Sequence, residues 1–342
     1  MRCKTCVMTN KIPGTEFKNC QCNICRNPLP IINKKKQKKC LTDFKKTIAK
    51  LKKHKGQYNC MVAFSGGKDS SHLLHMLKNE YGLKPLAVSV DTGYINPIAK
   101  ENITRIIKKL DVDHIFIKVQ QGMFNSIYKY FLKNSDKYPD ILSENCNLCT
   151  GLMDIYMGMT AAEKNIPVIF SGVSPDEIYL LIDLFGSKDI CYELDHKLVQ
   201  NLINKRMPMI KKMNKKIVNL IQKYNKMKNL PRIIYPYHVL PYDANKMRKM
   251  LAKEGLIPEN KSSPFVTNCL INDIMIYSIV KKRGYNPYAK MMSYTIKSEP
   301  NRRSNLIFVD RIIRLTVKLG LFKRKTINYV LKNLGLSKKD VT

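Results

Sequence analysis

The sequence predicts an α/β fold, a doubly wound parallel sheet with a zinc ribbon ahead of it and a helical region behind it. Three observations predict this. From about residue 58, short β-rich runs alternate with helical stretches, the pattern that builds parallel sheets covered by helices on both faces. The first 30 residues are turn-rich, too few to bury a core, and hold two Cys-x-x-Cys pairs. After residue 243 the strand-like runs stop and the apolar spacing is helical to the end.

Taken in order, residues 1–30 form the ribbon. Cys3 and Cys6 are followed by fifteen residues and then by Cys22 and Cys25, the spacing of a tetrahedral Cys₄ zinc site in which metal stands in for a core. Cys20 is a spare. Residues 31–57 read as a basic linker helix, with Leu41, Phe44, Ile48 and Leu51 at three- and four-residue spacing. The sheet domain occupies 58–242. Its strands are expected at 59–65, 85–91, 114–119, 167–171 and 232–236, and its helices near 69–80, 97–110, 123–133, 150–164 and 177–185. Residues 196–230 read as a basic helical insertion. The region 243–342 is basic and helical, with a Pro- and Tyr-rich interruption near 284–294. In such a sheet, ligands are expected beyond the carboxyl ends of the strands.

Composition narrows the function classes. With 342 residues and 44% hydrophobic side chains, the chain is neither disordered nor collagen-like. No apolar run approaches the roughly 18 residues a membrane span needs, and MRCKTC offers no signal-peptide core, so a soluble cytoplasmic protein is expected. Eleven cysteines, an odd number, point to metal or redox chemistry before a disulfide framework. The net charge of +35 is uneven: residues 1–60 and 243–342 each carry +14, whereas 141–195 holds 2 basic and 9 acidic residues. Basic surfaces flanking an acidic centre suit RNA or an acidic substrate, and lysines that merely solvate the surface explain them equally well.

The strongest local signal is FSGGKDSS, residues 64–71, after an apolar strand and at the opening of a helix. Ser65, Gly66 and Gly67 let the backbone turn and offer amides to phosphate oxygens; Lys68 adds a cation and Ser70 a hydroxyl. A Walker A loop would need glycine where Val62 stands. The motif resembles the PP-loop of the N-type ATP pyrophosphatases, the adenine nucleotide alpha-hydrolase superfamily of HUP-type fold. That resemblance implies cleavage of ATP between its α and β phosphates, with Ser65 to Ser70 on the phosphates. It places Asp91, in Asp91-Thr92-Gly93, against adenosine, and Gly172 with Asp176, in Ser171-Gly172-Val173-Ser174-Pro175-Asp176-Glu177, near the α-phosphate. It also implies that Asp69 and Asp176 hold Mg²⁺ and that Lys68, Asp69 and Asp176 are catalytic. Helix capping is the other reading of the acids at 176 and 177.

The ribbon is similar in wording to the N-acetyl sugar amidotransferases of surface-polysaccharide synthesis, matching at Val7-Met8, Pro13-Gly14 and Phe17 and departing at Asn19-Cys20-Gln21. This implies adenylation of an N-acetylated, nucleotide-linked sugar for attack by ammonia from a separate glutaminase. Cys146 and Cys149, expected just ahead of a helix, suit a lowered thiol pKa, a metal pair or chance. In PP-loop tRNA thiolases such a pair joins a distant cysteine, here Cys269, on a 4Fe–4S cluster, so a tRNA-acting sulfurtransferase is the alternative enzyme. A non-catalytic RNA- or nucleotide-binding protein is the third reading. His238 reads as structural, and Arg283-Gly284-Tyr285-Asn286-Pro287-Tyr288 as either a nucleic-acid surface or a helix stop.

Overall fold

The structure, a computed structural model, describes residues 1–27, 34–119, 121–138, 140–175, 177, 192–194, 196–263 and 269–342. Asp176, Cys191 and all of the expected helix at 177–185 except Glu177 lie outside them. In chain order the elements begin with β1 (Phe17–Lys18), β2 (Gln21–Cys22), α1 (Asn23–Arg26), α2 (Lys34–Lys52) and β3 (Cys60–Ala63). Then come α3 (Lys68–His75, continued by a π-turn at Met76–Glu80), β4 (Pro85–Asp91), α4 (Pro97–Leu110), β5 (His114–Lys118), α5 (Gln121–Lys133), α6 (Ile141–Glu163) and β6 (Val168–Ser171). The rest are α7 (His196–Met213), α8 (Lys215–Asn225), β7 (Arg232–Ile234), α9 (Ala244–Lys253), α10 (Leu270–Arg283), α11 (Ala289–Ser298), α12 (Arg303–Lys318) and α13 (Arg324–Leu334).

The chain divides into two compact units that do not follow its sequential order. One, the ribbon unit, comprises Met1–Ile31, Asn125–Leu148 and Leu270–Thr342; the other, the sheet unit, comprises Ile32–Phe124 and Cys149–Cys269. The ribbon therefore groups with the C-terminal helices, and the sheet unit takes in the linker helix and continues past residue 242.

In the sheet unit all five expected strands form. They are parallel, in the order β5-β4-β3-β6-β7. Strands covered on both faces read as continuous apolar runs, and β4 is buried from Pro85 to Val90. The order reverses between β3 and β6, which makes the carboxyl ends of these two strands the place for a ligand. α4 is set by an Asn96 cap on the Ile98 amide and by Pro97 at its first turn, and it buries Ala99, Ile103, Ile106 and Leu110. Phe44 of α2 joins the same core, edge-on to Phe170 of β6 at 6.2 Å. The basic insertion is two helices, α7 and α8, the second capped by Asn214.

In the ribbon unit α10 is buried on nearly every side, and α12 and α13 pack against it. Gly284, at φ +72°, ends α10, and α11 starts at Ala289, so the expected interruption is confined to 284–288. The ribbon is tied to these helices through its own backbone. Lys297 Nζ donates to Ile24 O at 2.7 Å, and Arg303 donates to the carbonyls of Lys4 and Thr5 at 2.7 and 2.8 Å. Buried Asp310 binds Arg2 and Arg314, each at 3.0 Å.

One helix boundary corrects the expectation. α6 starts at Ile141, not near 150, because Asp140 caps it through the Ser143 amide and hydroxyl. Cys146 and Cys149 thus lie inside the helix, where the terminal amides that lower a thiol pKa are absent.

Candidate nucleotide site and metal centre

The loop Ser65–Gly67 leaves the carboxyl end of β3 and turns directly into α3. Gly66 has φ +73°, and a Cβ there would collide with Ala99 O and lie 2.8 Å from Ile103 Cγ1, so only glycine lets the loop lie against α4. Gly67, in ordinary extended backbone, is under no such constraint. The loop is held by its own hydroxyls: Ser65 N donates to Ser70 Oγ at 3.2 Å, and Ser71 Oγ donates to Gly67 O at 2.7 Å. From outside, fully buried Asn102 donates through Nδ2 to Gly66 O at 3.1 Å. The first amides of α3 have no intrahelical acceptor, so this turn presents N–H donors and the positive end of a helix dipole.

The loop after β6 closes on the same turn. A Cβ at Gly172 would lie 2.9 Å from Ser70 N and 3.0 Å from Asp69 C, so the two loops approach more closely than a side chain allows. Glu177 accepts from Ser174 N and Oγ at 2.8 and 2.9 Å, the capping arrangement. Asp91, at the end of β4, accepts from Gly93 N at 2.8 Å and from Lys100 Nζ at 3.2 Å.

Lys68 is 95% withdrawn from solvent, with its ammonium on the Asp69 carboxylate and 2.8 Å from Tyr242 Oη. Tyr242 in turn donates to Asp69 Oδ1 at 2.9 Å. Tyr237 donates to Asp69 O at 3.1 Å and lies 2.8 Å from His72 Nδ1. With the phenol proton committed to Asp69 O, His72 must donate from Nδ1, so in the neutral ring the proton sits on Nδ1. Burial supports that state by pushing His72 down to about 4. Sequence reasoning found the loop and missed Asn102, Tyr237 and Tyr242. A signal existed for Asn102 alone, as a polar residue in the apolar stripe of α4. His238 is buried and stacked on Tyr235, with burial lowering it to about 3.

In the ribbon, the Sγ atoms of Cys3, Cys6, Cys22 and Cys25 all lie within 4.8 Å of one another, and Cys6 and Cys22 are 3.6 Å apart. Four thiolates around one zinc at about 2.3 Å would stand about 3.8 Å apart, so the spacing fits a metal and is far too long for a disulfide. Three backbone amides point at these sulfurs: Thr5 and Cys22 on Cys3, and Met8 on Cys6, at 3.4, 3.4 and 3.5 Å. The hydrogen bonds among them pull the Cys22 thiol down and push those of Cys6 and Cys25 up, as sulfurs crowded around one point do. Exposed Cys20 stays outside the group. Among the described residues this is the one gathering of three or more such ligands. Cys146 lies in the ribbon unit, with Sγ 3.6 Å from Asn272 Oδ1, whereas Cys149 and Cys269 belong to the sheet unit.

Residues 59–174 match the family described as phosphoadenosine phosphosulfate reductase domain. An uncharacterized protein of Methanocaldococcus jannaschii is 38% identical over 120 residues, which cover 33% of this chain and 41% of that protein. Among solved structures, the U34-tRNA thiolase of Methanococcus maripaludis with its 4Fe–4S cluster aligns over 83% of this chain and 79% of its own, at 15% identity and a TM-score of 0.40. The NH₃-dependent NAD synthetase of Campylobacter jejuni aligns over 78% of this chain and 96% of its own, at 17% identity and a TM-score of 0.33. The family match covers β3 to β6 and the glycine loop between them, and over that stretch it supports the resemblance to the PP-loop, adenine nucleotide alpha-hydrolase superfamily.

Proposed function

We propose that this protein cleaves ATP to AMP and pyrophosphate and uses the step to adenylate an N-acetylated, nucleotide-linked sugar, whose acetamido oxygen is then displaced by ammonia. The observation that carries the ATP chemistry is the loop at the reversal of strand order. There glycine-dependent backbone, the amides of α3 and a buried Lys68–Asp69 pair converge, and no Walker A glycine is present. The family name, an adenosine bearing phosphate groups, supports an adenine nucleotide as the ligand.

The residues divide the work. Ser65, Gly66, Gly67 and Ser70 would hold the β and γ phosphates through amides and hydroxyls. Lys68 would stabilise charge arising on the departing pyrophosphate, where a preorganised cation acts most strongly. Asp69 suits Mg²⁺, which is commonly bound by one or two carboxylates together with substrate phosphates; Asp176 is the second carboxylate proposed. When bound, that ion would neutralise phosphate charge. Tyr242 bridges Lys68 and Asp69 and would keep both aimed at the phosphates. Asp91 and Gly172 would border the adenosine and the α-phosphate.

For the acceptor, the amidotransferase wording of the ribbon supports a sugar, and zinc in the Cys₄ group would give that segment its fold. Ammonia would come from a separate glutaminase. The tRNA thiolase alternative rests on Cys146 and Cys149, three residues apart on α6, and on Cys269. The reading is tested by incubating the full chain with Mg·ATP, uridine-diphosphate N-acetylglucosamine and ammonium. AMP formation that needs both sugar and ammonium supports it; AMP formation that needs tRNA and sulfide would replace it with thiolation.

A further inference from the structure

Among the described residues, the exposed large apolar side chains are concentrated in one segment. Apart from Met1 they are Phe308, Ile312, Leu315, Leu319, Leu321 and Tyr329, and Phe308, Leu319 and Leu321 are each more than 60% exposed. Single exposed apolar side chains need no explanation, but a cluster of this kind marks an interaction surface. At about 100° per residue, positions 308, 312, 315 and 319 fall within about 60° of arc, a ridge roughly 16 Å long down α12. The opposite side of the same helix is buried through Ile313 and Val317. α12 is thus apolar on two opposite faces, one packed in the ribbon unit and one turned to solvent. Leu319-Gly320-Leu321 extends the outward face into the turn before α13, and Gly320 takes φ +72° there.

Charge identifies the partner. Arg311 and Lys318 flank the ridge on one side, and Arg324, Lys325 and Lys332 continue the exposed basic surface around Tyr329. Between 303 and 339 the chain has ten basic residues and one acidic residue, Asp310, which is buried between Arg2 and Arg314. Within this stretch no carboxylate is therefore exposed. A second copy of the chain would set these cations against one another. RNA would satisfy the charge, but on the ridge Phe308 alone offers a ring for a base to stack on, and Ile312, Leu315 and Leu319 offer none. Aliphatic side chains flanked by Lys and Arg, on a helix not long and apolar enough to cross a membrane, are the composition of helices that lie in the interface of anionic bilayers.

We propose that the outer face of α12, with the Leu319–Leu321 turn, docks on the surface of an anionic lipid bilayer. The apolar ridge enters the acyl boundary and Arg311, Lys318, Arg324 and Lys325 meet the headgroups. This surface belongs to the ribbon unit and the nucleotide loop to the sheet unit, and the proposal does not depend on the function proposed for that loop.

The chain contains no tryptophan, so Leu315→Trp gives a single reporter at an exposed position. The full-length variant is mixed with vesicles of phosphatidylcholine alone and of phosphatidylcholine with about one third phosphatidylglycerol. The expected result is a blue shift and protection from acrylamide on the anionic vesicles only. Phe308→Ser with Leu319→Ser, both exposed, should lower the vesicle partition coefficient about tenfold or more while circular dichroism stays unchanged. Four results would overturn the proposal. They are no shift on anionic vesicles, equal partitioning of the double variant, the same shift with polyglutamate or poly(A) in place of lipid, and a lipid-free dimer that the double variant converts to monomer.

Discussion

The nucleotide loop and the cysteine ribbon are both short turn-rich segments, yet they are held by opposite means. The loop stands on a packed core: β3 and β6 are buried on both faces, Asn102 and the serines satisfy its backbone, and Gly66 removes the Cβ that would block it. The ribbon has two strands of two residues each and a four-residue helix, with four sulfurs gathered beside a few buried apolar side chains such as Val7, Met8 and Ile24. The first region owes its geometry to the fold around it, and the second gathers sulfurs that a metal could hold together. A functional site of the first kind is broken by altering shape, and one of the second kind by removing an ion.

Metal removal should show the difference most strongly. Structural zinc contributes on the order of 10–16 kcal/mol to such sites, so stripping it, or Cys3→Ser with Cys25→Ser, should abolish amide protection across 1–27 while β3 to β7 stay protected. Hydrogen exchange read segment by segment measures this. Uniform loss of protection would mean that the two regions share one stability, and a chain purified without zinc would remove the basis of the comparison.

Shape is probed next within the loop itself. Gly66→Ala should cost about 1–3 kcal/mol and abolish nucleotide binding, because it meets both a left-handed backbone and the Ala99 carbonyl. Gly67→Ala should cost under about 1 kcal/mol. Thermal melts with and without ATP compare the two, and equal effects would contradict the geometry at Gly66.

Acid should weaken the sheet unit through His72. Burial keeps it neutral in the folded chain down to about pH 4, whereas the unfolded imidazole takes up a proton near 6.5. The unfolded state binds more protons between these values, so stability is full above about pH 6.5 and falls as pH drops toward 4. Urea melts across that window should show the decline, and His72→Gln should flatten part of it. An unchanged slope would remove His72 as a contributor.

The smallest effect belongs to Tyr242→Phe, which deletes one hydroxyl bridging Lys68 and Asp69. A loss of about 1 kcal/mol fits a single hydrogen bond to charged groups, and it should lower kcat several-fold with little change in KM for ATP. A change confined to the melting temperature would make the phenol merely structural.

Legibility in the sequence follows the same division. The strands were readable because doubly covered parallel strands are continuous apolar runs, and the loop because glycine, lysine and hydroxyls stand together in the chain. The ribbon was readable from spacing alone. Tyr237 and Tyr242, more than 160 residues from Lys68, leave no local trace, since a tyrosine after a strand reads as ordinary core. The attachment of the ribbon to α11 and α12 was equally hidden, because Arg303, Lys297 and Asp310 look like solvated helix charges until their partners near the N-terminus are known. The start of α6 was misjudged because the Asp140 cap lies well ahead of its clearest apolar run.

The central claim is that the loop after β3 directs cleavage between the α and β phosphates. It is tested most directly by following α-phosphate-labelled ATP with the full chain, Mg²⁺, ammonium and uridine-diphosphate N-acetylglucosamine, beside Lys68→Ala. The account predicts labelled AMP with an equal amount of pyrophosphate, at a rate about 10²–10³ lower in the variant. Labelled ADP with inorganic phosphate, or AMP formed equally fast without the Lys68 ammonium, would contradict it.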